Sequence, residues 1–345
     1  MIGDKPKMVG FGELMMRLNP PGNERFVQAD EFEVRYTGAE ANVAVMLAGL
    51  GLVTYAVSRV PAHELGQACI NYVRRFGVNT DFVVRGGDRL GIFYLETGAA
   101  QRGSKVIYDR DHSSIRDASP AEFDWGAILE GADWLHFSGT APALGANVQA
   151  VLIDGLRAAR ARNVTVSCDL NYRAKLWSPA EAQRIMTGIM EYVDVLIGNE
   201  EDAAKVFGIT AEGSDALRGS LVVDSYQGVA EKLVARFGFR YVGTSLRRSV
   251  SASINGWAGL LYDGKTHHLS RSYEINPIVD RVGGGDSFTA GLIYGLLKGM
   301  DKQTCIEFAT AASCLKHSIP GDFNLLSLDE IDALLSGDAS GRVQR

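Results

Sequence analysis

Short apolar segments alternate with amphipathic stretches along the chain from about residue 118 onward. Apolar runs of this kind are typical of strands buried on both faces, and the stretches between them have the spacing of helices that bury one face. The alternation therefore predicts an α/β fold with a mainly parallel central sheet covered by helices on both faces. The predicted strands are residues 134–138, 164–170, 193–198 and 241–246, and the predicted helices are residues 146–162, 179–192 and 229–237.

The first part of the chain has a different pattern. Residues 14–35 and 91–108 contain extended segments without long helices between them, whereas residues 41–59 split into a helix and a strand. The two extended regions predict a small β-sheet that projects from the main body as a lid.

Composition and charge narrow the possible functions. The 345 residues are 46% hydrophobic and 22% charged, with a net charge of −6, as expected for an ordinary globular protein of one large or two smaller domains. Such an acidic chain argues against a nucleic-acid surface or a polybasic membrane patch, so any anion site must be local. Residues 1–7 lack the features of a secretory signal, and no apolar segment is long enough to span a membrane. We therefore expect a cytoplasmic protein, with its four cysteines as reduced core thiols.

The segment Asp280-Arg281-Val282-Gly283-Gly284-Gly285-Asp286 carries the strongest candidate chemistry. It follows the apolar residues 275–279, predicted to be a strand, and precedes a helical pattern at residues 288–298. Successive glycines at a helix N-terminus let backbone N–H groups surround an anion such as phosphate. Asp286, in the first helical turn, can then accept the proton of a hydroxyl group that attacks that phosphate. The alternative is a tight turn whose aspartate only complements the helix dipole.

Residues 259–266 match the Walker A pattern letter for letter. A phosphate-binding loop of that class follows a strand, begins a helix and has small residues inside. This segment instead has Leu260, Leu261 and Tyr262 inside, and no helical pattern follows it. Asp263-Gly264 between two extended runs is typical of a type I′ hairpin, so the match is interpreted as a coincidence.

Polar residues follow two of the predicted strands. Asn171 and Arg173 come after one strand, and Asn199-Glu200-Glu201-Asp202 follows the next. An asparagine followed by acidic residues can bind a nucleotide and its Mg²⁺. Alternatively, the acidic residues can simply complement the dipole at a helix N-terminus.

Two arginines are candidates for binding a substrate carboxylate. Arg173 lies at a predicted strand end, and Arg110 follows the predicted lid strand that ends at Tyr108. An arginine in such a place can hold a carboxylate bidentately, although a salt bridge to a neighbouring aspartate is the common alternative. Two arginines together would suit an acidic sugar.

Three segments taken together resemble the ribokinase-type (PfkB) sugar kinases: residues 280–288, Gly38-Ala39-Glu40-Ala41-Asn42 and Asp169-Leu170-Asn171-Tyr172-Arg173. Within that group the chain is most similar to 2-keto-3-deoxygluconate kinases, from about residue 9 to residue 328. The resemblance implies a ribokinase-like three-layer sandwich with a mainly parallel central sheet and a small β-sheet lid. It also implies a single domain of residues 1–345, with residues 336–345 as a flexible tail.

The resemblance also implies roles for individual residues. Asp286 would be the catalytic base, and the backbone N–H groups of Gly283, Gly284 and Gly285 would form the anion hole for the transferred phosphoryl group. The sugar would be bound by Gly38, Asn42, Phe93, Tyr108, Arg110, Asn171, Arg173 and Asp286, and ATP by Asn199, Ser245, Arg247, Gly283, Gly285 and Asn324. Mg²⁺ would be held by Glu201 or Asp202.

The reaction implied by the resemblance is transfer of the γ-phosphate of ATP to the 6-hydroxyl of 2-keto-3-deoxygluconate. ATP and Mg²⁺ are the implied cofactors, and a monovalent cation such as K⁺ is a further candidate. A partner subunit would pair with the edge strands of the lid to form a homo-oligomer, whereas neither nucleic acid nor membrane is an expected partner.

The sequence departs from the family pattern at several positions. Thr37 stands in place of the first glycine of the N-terminal signature, and Arg281 in place of a threonine. Asp202 is one methylene shorter than the usual glutamate, and Phe93 lies near a lid position that is often tyrosine. Arg247 falls where the nucleotide loop usually has a glycine.

Three alternative functions stay open. One is a kinase for a neutral sugar, such as fructose, a sugar alcohol or a deoxy-inositol derivative, and another is a non-catalytic sugar or nucleotide sensor on the same fold. The third is a dinucleotide-dependent dehydrogenase, suggested by Gly10-Phe11-Gly12, but Met15 occupies the position of the third glycine that such a site requires.

Overall fold

The computed structural model describes residues 5–199, 201–211 and 223–337. Its strands are β1 (Lys7–Phe11), β2 (Met15–Asn19), β3 (Glu33–Thr37), β4 (Val53–Val60), β5 (Val83–Arg85), β6 (Gly91–Glu96), β7 (Lys105–Asp109), β8 (Trp134–Ser138), β9 (Thr165–Asp169), β10 (Val195–Asn199), β11 (Tyr241–Ser249), β12 (Asn255–Tyr262), β13 (His267–Leu269) and β14 (Tyr273–Ile275). Its helices are α1 (Ala39–Gly49), α2 (Glu64–Arg74), α3 (Trp125–Ile128), α4 (Thr140–Ala143), α5 (Ala146–Ala161), α6 (Pro179–Ile189), α7 (Asp202–Phe207), α8 (Val223–Phe237), α9 (Gly284–Leu297), α10 (Lys302–Lys316) and α11 (Leu328–Leu335).

Ten strands of the described ranges form one sheet, in the order β13-β12-β11-β10-β9-β8-β1-β4-β5, with β14 paired to β12. The seven strands β11, β10, β9, β8, β1, β4 and β5 follow one another in the sheet, and each runs parallel to the next. Strand β12 runs antiparallel to β11, β13 and β14. The predicted α/β class with a mainly parallel central sheet is confirmed.

Alternate side chains of the central strands enter two separate cores. In β1, Met8 joins the core formed with α1, α2, α9, α10 and α11. Its neighbours Val9 and Phe11 join the core formed with α3, α5, α6, α7 and α8 on the other face. Because side chains alternate along a strand, both faces of the sheet are covered and the molecule has three layers. No helix in the described ranges combines the length and the apolar character needed to cross a bilayer.

Four further strands of the described ranges form a second sheet, in the order β3-β2-β6-β7. Met15, Phe93 and Leu95 pack beneath it with Val282, which belongs to the glycine-rich turn. The lid predicted from residues 14–35 and 91–108 is therefore confirmed as a small sheet, and it lies over that turn.

Most predicted elements agree with the structure to within a few residues. The strand at residues 134–138 matches β8, and the helix predicted at residues 229–237 begins earlier, at Val223. The helix at residues 179–192 ends in a 3₁₀ turn, Met190–Tyr192. Its start is fixed by the capping box in which Ser178 and Glu181 satisfy each other's backbone N–H groups. Of the predicted tail, residues 338–345 lie outside the described residues.

The strand predicted at residues 275–279 is wrong. Strand β14 ends at Ile275, and residues 276–279 form a loop in which Val279 is half exposed. Pro277 has no N–H to donate, so it cannot continue a ladder of hydrogen bonds. The glycine-rich turn is therefore reached through a loop rather than directly from a strand.

The hairpin predicted at Asp263-Gly264 is confirmed between β12 and β13, which excludes a Walker A loop at residues 259–266. Gly264 has a φ of 83°, but Asp263 does not have a positive φ. The predicted type I′ turn is wrong because it requires a positive φ at both central residues.

Glu40 joins α1 to the sheet edge where the parallel strands end. Its side chain is buried, and Oε1 accepts the backbone N–H of Ser138 at 2.8 Å. Gly12 makes room for this carboxyl group, since a Cβ atom there would lie 1.9 Å from Glu40 Oε2. The contact fixes the first turn of α1, which also carries Asn42.

We expect Gly12→Ala to lower the free energy of unfolding by about 1–3 kcal/mol, because the new methyl group displaces the buried Glu40 carboxyl group. Gly49→Ala is the matched control. Gly49 ends α1 with open space around it, and alanine there should be neutral or stabilising by up to about 1 kcal/mol. Urea denaturation measures both, and equal stability of the two variants would contradict the packing at Gly12.

Candidate active site

A cavity of about 440 Å³ opens at the carboxyl edge of the central sheet, beneath the lid. Ligands of open α/β sheets bind at this edge, because the loops that follow parallel strands converge there. The predicted site residues that line the cavity are Gly38, Asn42, Phe93, Tyr108, Arg110, Asn171, Arg173, Asn199, Asp202, Ser245, Arg247, Gly283, Gly285 and Asp286. Residues far apart in the sequence are thus brought to one place.

Gly284, Glu201 and Asn324 do not line this cavity. Asn324 donates its amide N–H to the carbonyl of Ala312 at 3.1 Å and accepts the N–H of Leu326 at 3.1 Å. Both polar ends of that side chain therefore hold a loop against α10. The ATP contact predicted for Asn324 has no support in its position.

The three glycines of the turn differ in what their missing side chains allow. Gly283 has a φ of 82°, and a Cβ atom there would lie 1.9 Å from the carbonyl oxygen of Asp322. At Gly284 a Cβ atom would meet the His317 ring at 2.8 Å, whereas at Gly285 it would meet nothing. Gly283 and Gly284 thus let the turn pack closely, and Gly285 leaves its side of the cavity open. As predicted, α9 begins within the turn, so its first N–H groups lack helical acceptors.

Asp286 lies in the first turn of α9, on the cavity wall. Its Oδ2 accepts the Nδ2–H of Asn42 at 2.6 Å. Burial raises the pKa of Asp286 to about 6, although the Asn42 hydrogen bond and the charge of Arg173 act in the opposite direction. The carboxylate is therefore mostly ionised at neutral pH, yet basic enough to accept a proton.

Two other carboxyl groups near Asp286 hold their protons more tightly. Burial, with the nearby charges of Asp202 and Asp286, raises the pKa of Asp169 to about 8. Burial raises the pKa of Glu40 to about 7. Of these three groups, Asp286 is the first to become a carboxylate as the pH rises.

The two predicted carboxylate-binding arginines have different surroundings. Arg110 is buried, and its Nε and Nη2 donate to Glu13 Oε2 at 2.8 and 2.5 Å. Ser113 donates to the other oxygen of Glu13 at 2.6 Å. Arg173 is exposed at the cavity, with one hydrogen bond to the carbonyl of Tyr172. Arg110 thus enters the site with its charge already paired, whereas the guanidinium of Arg173 is accessible.

Arg17 of lid strand β2 reaches the glycine-rich turn from the opposite side. Its Nη2 donates to Asp280 Oδ2 at 2.7 Å, and its Nη1 donates to Asp322. Asp280 also accepts the N–H groups of Val282 and Gly321, each at 3.0 Å. A buried ion pair therefore holds the lid, the turn and the loop after α10 together.

The side chains of Asn199 and Asp202 hold the loop between β10 and α7 in place. Asn199 Oδ1 accepts the N–H groups of Glu201 and Asp202. The two carboxyl oxygens of Asp202 accept the N–H groups of Tyr172 and Asn199. Among the described residues, no group of three or more His, Cys, Asp or Glu side chains could hold a metal ion.

Several residues at the cavity were not identified from the sequence. Glu13, Asn255, Trp257, His317 and Asp322 all line it. In the part of the chain that the structure describes, Asn255 Oδ1, Trp257 Nε1 and Asn171 Oδ1 are buried without a hydrogen-bond partner. Asn255 and Trp257 lie two residues apart in β12, so their side chains point to the same face of the sheet.

The chain resembles known proteins along nearly its whole length. The sequence profile described as pfkB family carbohydrate kinase matches residues 5–234 and 256–325. A 2-dehydro-3-deoxygalactonokinase of Haloferax volcanii is 31% identical over 97% of this chain and 98% of its own length.

Solved structures show the same fold. The crystal structure of a 2-dehydro-3-deoxygluconokinase from Thermotoga maritima is 52% identical, with a TM-score of 0.93 over 96% of this chain and 100% of that chain. A chain described as ribokinase II from E. coli, in complex with ATP and Mg²⁺, is 18% identical, with a TM-score of 0.79 over 96% of this chain and 99% of that chain. The latter likeness confirms the predicted ribokinase-like fold. The chain belongs to the pfkB family of carbohydrate kinases and is a phosphotransferase.

Proposed function

We propose that this sugar kinase transfers the γ-phosphate of ATP to the 6-hydroxyl of 2-keto-3-deoxygluconate, with Asp286 as the general base. The observation that carries the proposal is the position of Asp286, which combines a carboxylate of suitable basicity with the N-terminus of α9 in one cavity under the lid. The 52% identity to the Thermotoga maritima 2-dehydro-3-deoxygluconokinase supports the substrate. The Haloferax volcanii relative makes the galactonate epimer the second candidate.

The sugar is placed between the lid and the end of β9. Phe93 and Tyr108 of the lid form an aromatic wall, with ring centroids 6.1 Å apart. Asn171, held in a left-handed conformation with a φ of 39°, has a buried side-chain oxygen that a sugar hydroxyl can satisfy after a small rotation. Arg173 offers its guanidinium to the sugar carboxylate.

ATP is placed on the other side, over the ends of β10, β11 and β12. Arg247 and Arg281 line this part of the cavity, together with Ser245. Two arginines and a helix N-terminus give the positive potential that a triphosphate requires. The open face of Gly285 lets a phosphoryl group approach the first N–H groups of α9.

Proton transfer is assigned to Asp286. As the hydroxyl oxygen of the sugar attacks the γ-phosphate, Asp286 takes the hydroxyl proton, and the N–H groups of the glycine-rich turn stabilise the charge on the moving phosphoryl group. Asp169, with its pKa of about 8, stays mostly protonated at neutral pH and does not repel the phosphates. The lid excludes water from the reacting groups.

If Mg²⁺ binds at this site, few of its ligands come from the protein. Both oxygens of Asp202 already accept backbone N–H groups, and Glu201, the other carboxylate of the predicted pair, does not line the cavity. That suits an ion which prefers phosphates and waters to an all-protein cage. When bound, Mg²⁺ neutralises charge on the phosphates.

Three smaller expectations stay proposals. Two copies of the chain would pair through the lid edge strands β3 and β7, where Val34 and Ile107 are exposed.

The four unbonded cysteines suit a reducing compartment such as the cytoplasm. A monovalent cation such as K⁺ stays a further candidate cofactor.

Asp286→Asn should lower kcat by about 100-fold or more, because the amide keeps the shape but cannot accept the proton. Asp329→Asn is the matched control, since Asp329 also lies in the first turn of a helix but is exposed on α11. Release of ADP with 2-keto-3-deoxygluconate measures both. Near-normal turnover of Asp286→Asn would remove Asp286 as the base, and no turnover by the unmodified chain with any sugar would favour a sensor.

The pH dependence of kcat should show an acid limb near pH 6. The base works only as a carboxylate, so activity is present above the pKa of Asp286 and falls about tenfold per pH unit below it. Steady-state assays between pH 5 and 8 test this directly. A profile that stays flat down to pH 5 would contradict the assignment.

Arg173→Ala should raise KM for 2-keto-3-deoxygluconate by about 10- to 100-fold, because charge-assisted hydrogen bonds to the carboxylate are lost. Arg184→Ala, on the exposed face of α6, removes the same charge away from the cavity and should leave KM unchanged.

A neutral sugar is the second candidate class of substrate. The Arg110–Glu13 pair favours it, because pairing leaves one accessible arginine rather than two. If Arg173→Ala leaves KM unchanged and fructose or a sugar alcohol is phosphorylated faster than the acid sugar, the neutral class is correct.

A further inference from the structure

Asn42 contacts the base rather than only facing the sugar. Its Nδ2 lies 2.6 Å from Asp286 Oδ2, which is short for a hydrogen bond from an amide and fits a charged acceptor. Asn42 is buried in the first turns of α1, whereas Asp286 lies on α9, more than two hundred residues later in the chain. One oxygen of the base is thus occupied by a fixed donor.

The Asn42 amide is itself held by Thr37. The hydroxyl group of Thr37 donates to Asn42 Oδ1 at 2.8 Å and also lies 2.8 Å from Asp322 Oδ2. A donor on the amide oxygen favours the orientation in which the amide N–H faces Asp286. The hydroxyl group has a single proton, and Asn42 Oδ1 and the Asp322 carboxylate are its two acceptors.

This arrangement has two consequences for the base. The hydrogen bond stabilises the carboxylate over the protonated form, which opposes the effect of burial. It also fixes the rotation of the carboxyl group, so that Oδ1 is the oxygen left for the sugar hydroxyl. Thr37 supplies this hydroxyl group at a position where the family signature has glycine.

We propose that Asn42, oriented by Thr37, is a positioning residue that holds Asp286 in its proton-accepting state and orientation. The proposal rests on the proposed role of Asp286 as the base. It assigns to Asn42 a function in catalysis that a sugar contact alone would not give.

Other charged groups also act on Asp286 and stay in place when Asn42 is changed. Those that face it are Arg173, Lys316, Asp322, Asp169 and Glu40. The two cations favour the carboxylate and the three acids disfavour it. A shift seen on changing Asn42 therefore reports the loss of its own hydrogen bond.

Asn42→Ala is the test, read from the pH dependence of kcat at saturating sugar and ATP. Loss of a hydrogen bond to a carboxylate should move the acid limb upward by about one pH unit. The loss of kcat should therefore be larger at pH 6 than at pH 8.5. Asn42→Leu keeps the volume of the side chain but removes its donor. If the alanine variant destabilises α1, the leucine variant should show the same upward shift of the acid limb.

Asn171→Gly is the matched control, since Asn171 lines the same cavity but is not bonded to Asp286. Glycine avoids strain at the positive φ and keeps the backbone N–H that binds Asp169. This variant should raise KM for the sugar and leave the acid limb of kcat where it is. Adding Thr37→Val to Asn42→Ala should not move the limb further, because Thr37 acts through Asn42.

An acid limb that stays in place in both Asn42 variants, with only KM raised, would overturn the proposal and leave Asn42 as a sugar contact. A further shift on adding Thr37→Val would overturn the part assigned to Thr37. These outcomes are separate from the role of Asp286 as the base, which fails if Asp286→Asn retains near-normal turnover.

Discussion

The buried ion pair of Arg17 with Asp280 and Asp322 is the contact on which the arrangement of the site depends. Burial alone would lower the pKa of Arg17, but the two carboxylates outweigh it and raise that pKa. A buried guanidinium is costly unless its partners are in place, so β2 must lie against the glycine-rich turn and the loop after α10. The base of the lid is therefore fixed relative to the N-terminus of α9. The hydrogen bonds from Asp322 through Thr37 and Asn42 to Asp286 continue from this point.

The same burial sets the order in which the carboxyl groups at the cavity lose their protons as the pH rises. Asp169, Glu40 and Asp286 all lie where desolvation raises a carboxyl pKa. Asp286 is raised least of the three, since Asn42 donates to it and cations lie nearby. Its position in the first turn of α9 also places it at the positive end of a helix dipole. In the proposed mechanism, Asp286 is thus distinguished as the base by its surroundings rather than by its residue type.

Local signals in the sequence predicted the parts of the site that one segment builds alone. The glycine-rich turn with Asp286 in the first turn of α9 needed only a run of glycines before a helical pattern. The pairing of Arg110 with Glu13 joins residues 97 positions apart, and no local pattern indicates which acid reaches that arginine. Asn324 lies in a segment that resembles the nucleotide side of the family, but its side chain is used to hold a loop.

Strand prediction failed for a similar reason. Residues 275–279 have the apolar character of a strand, but an apolar run does not show whether a neighbouring strand can pair with it. The family signature predicts Asn42 as a sugar contact. Its bond to Asp286, by contrast, depends on how α1 packs against α9. Which side chains meet across different elements depends on the three-dimensional arrangement. The hydrophobic pattern constrains the layers and the strand order of that arrangement, but not the individual side-chain contacts.

An acidic chain with a net charge of −6 can still bind anions, because the charge in the cavity differs from the formal count. With a pKa of about 8, Asp169 is mostly neutral at pH 7, and Glu40 is neutral about half of the time. The cavity wall also carries Arg173, Arg247 and Arg281 and the N-terminus of α9. A bound triphosphate would raise the pKa values of these carboxyl groups further, since like charges disfavour ionisation. Anion binding and proton retention would therefore reinforce each other at this site, and in our proposal the Asn42 hydrogen bond keeps Asp286 available as a carboxylate.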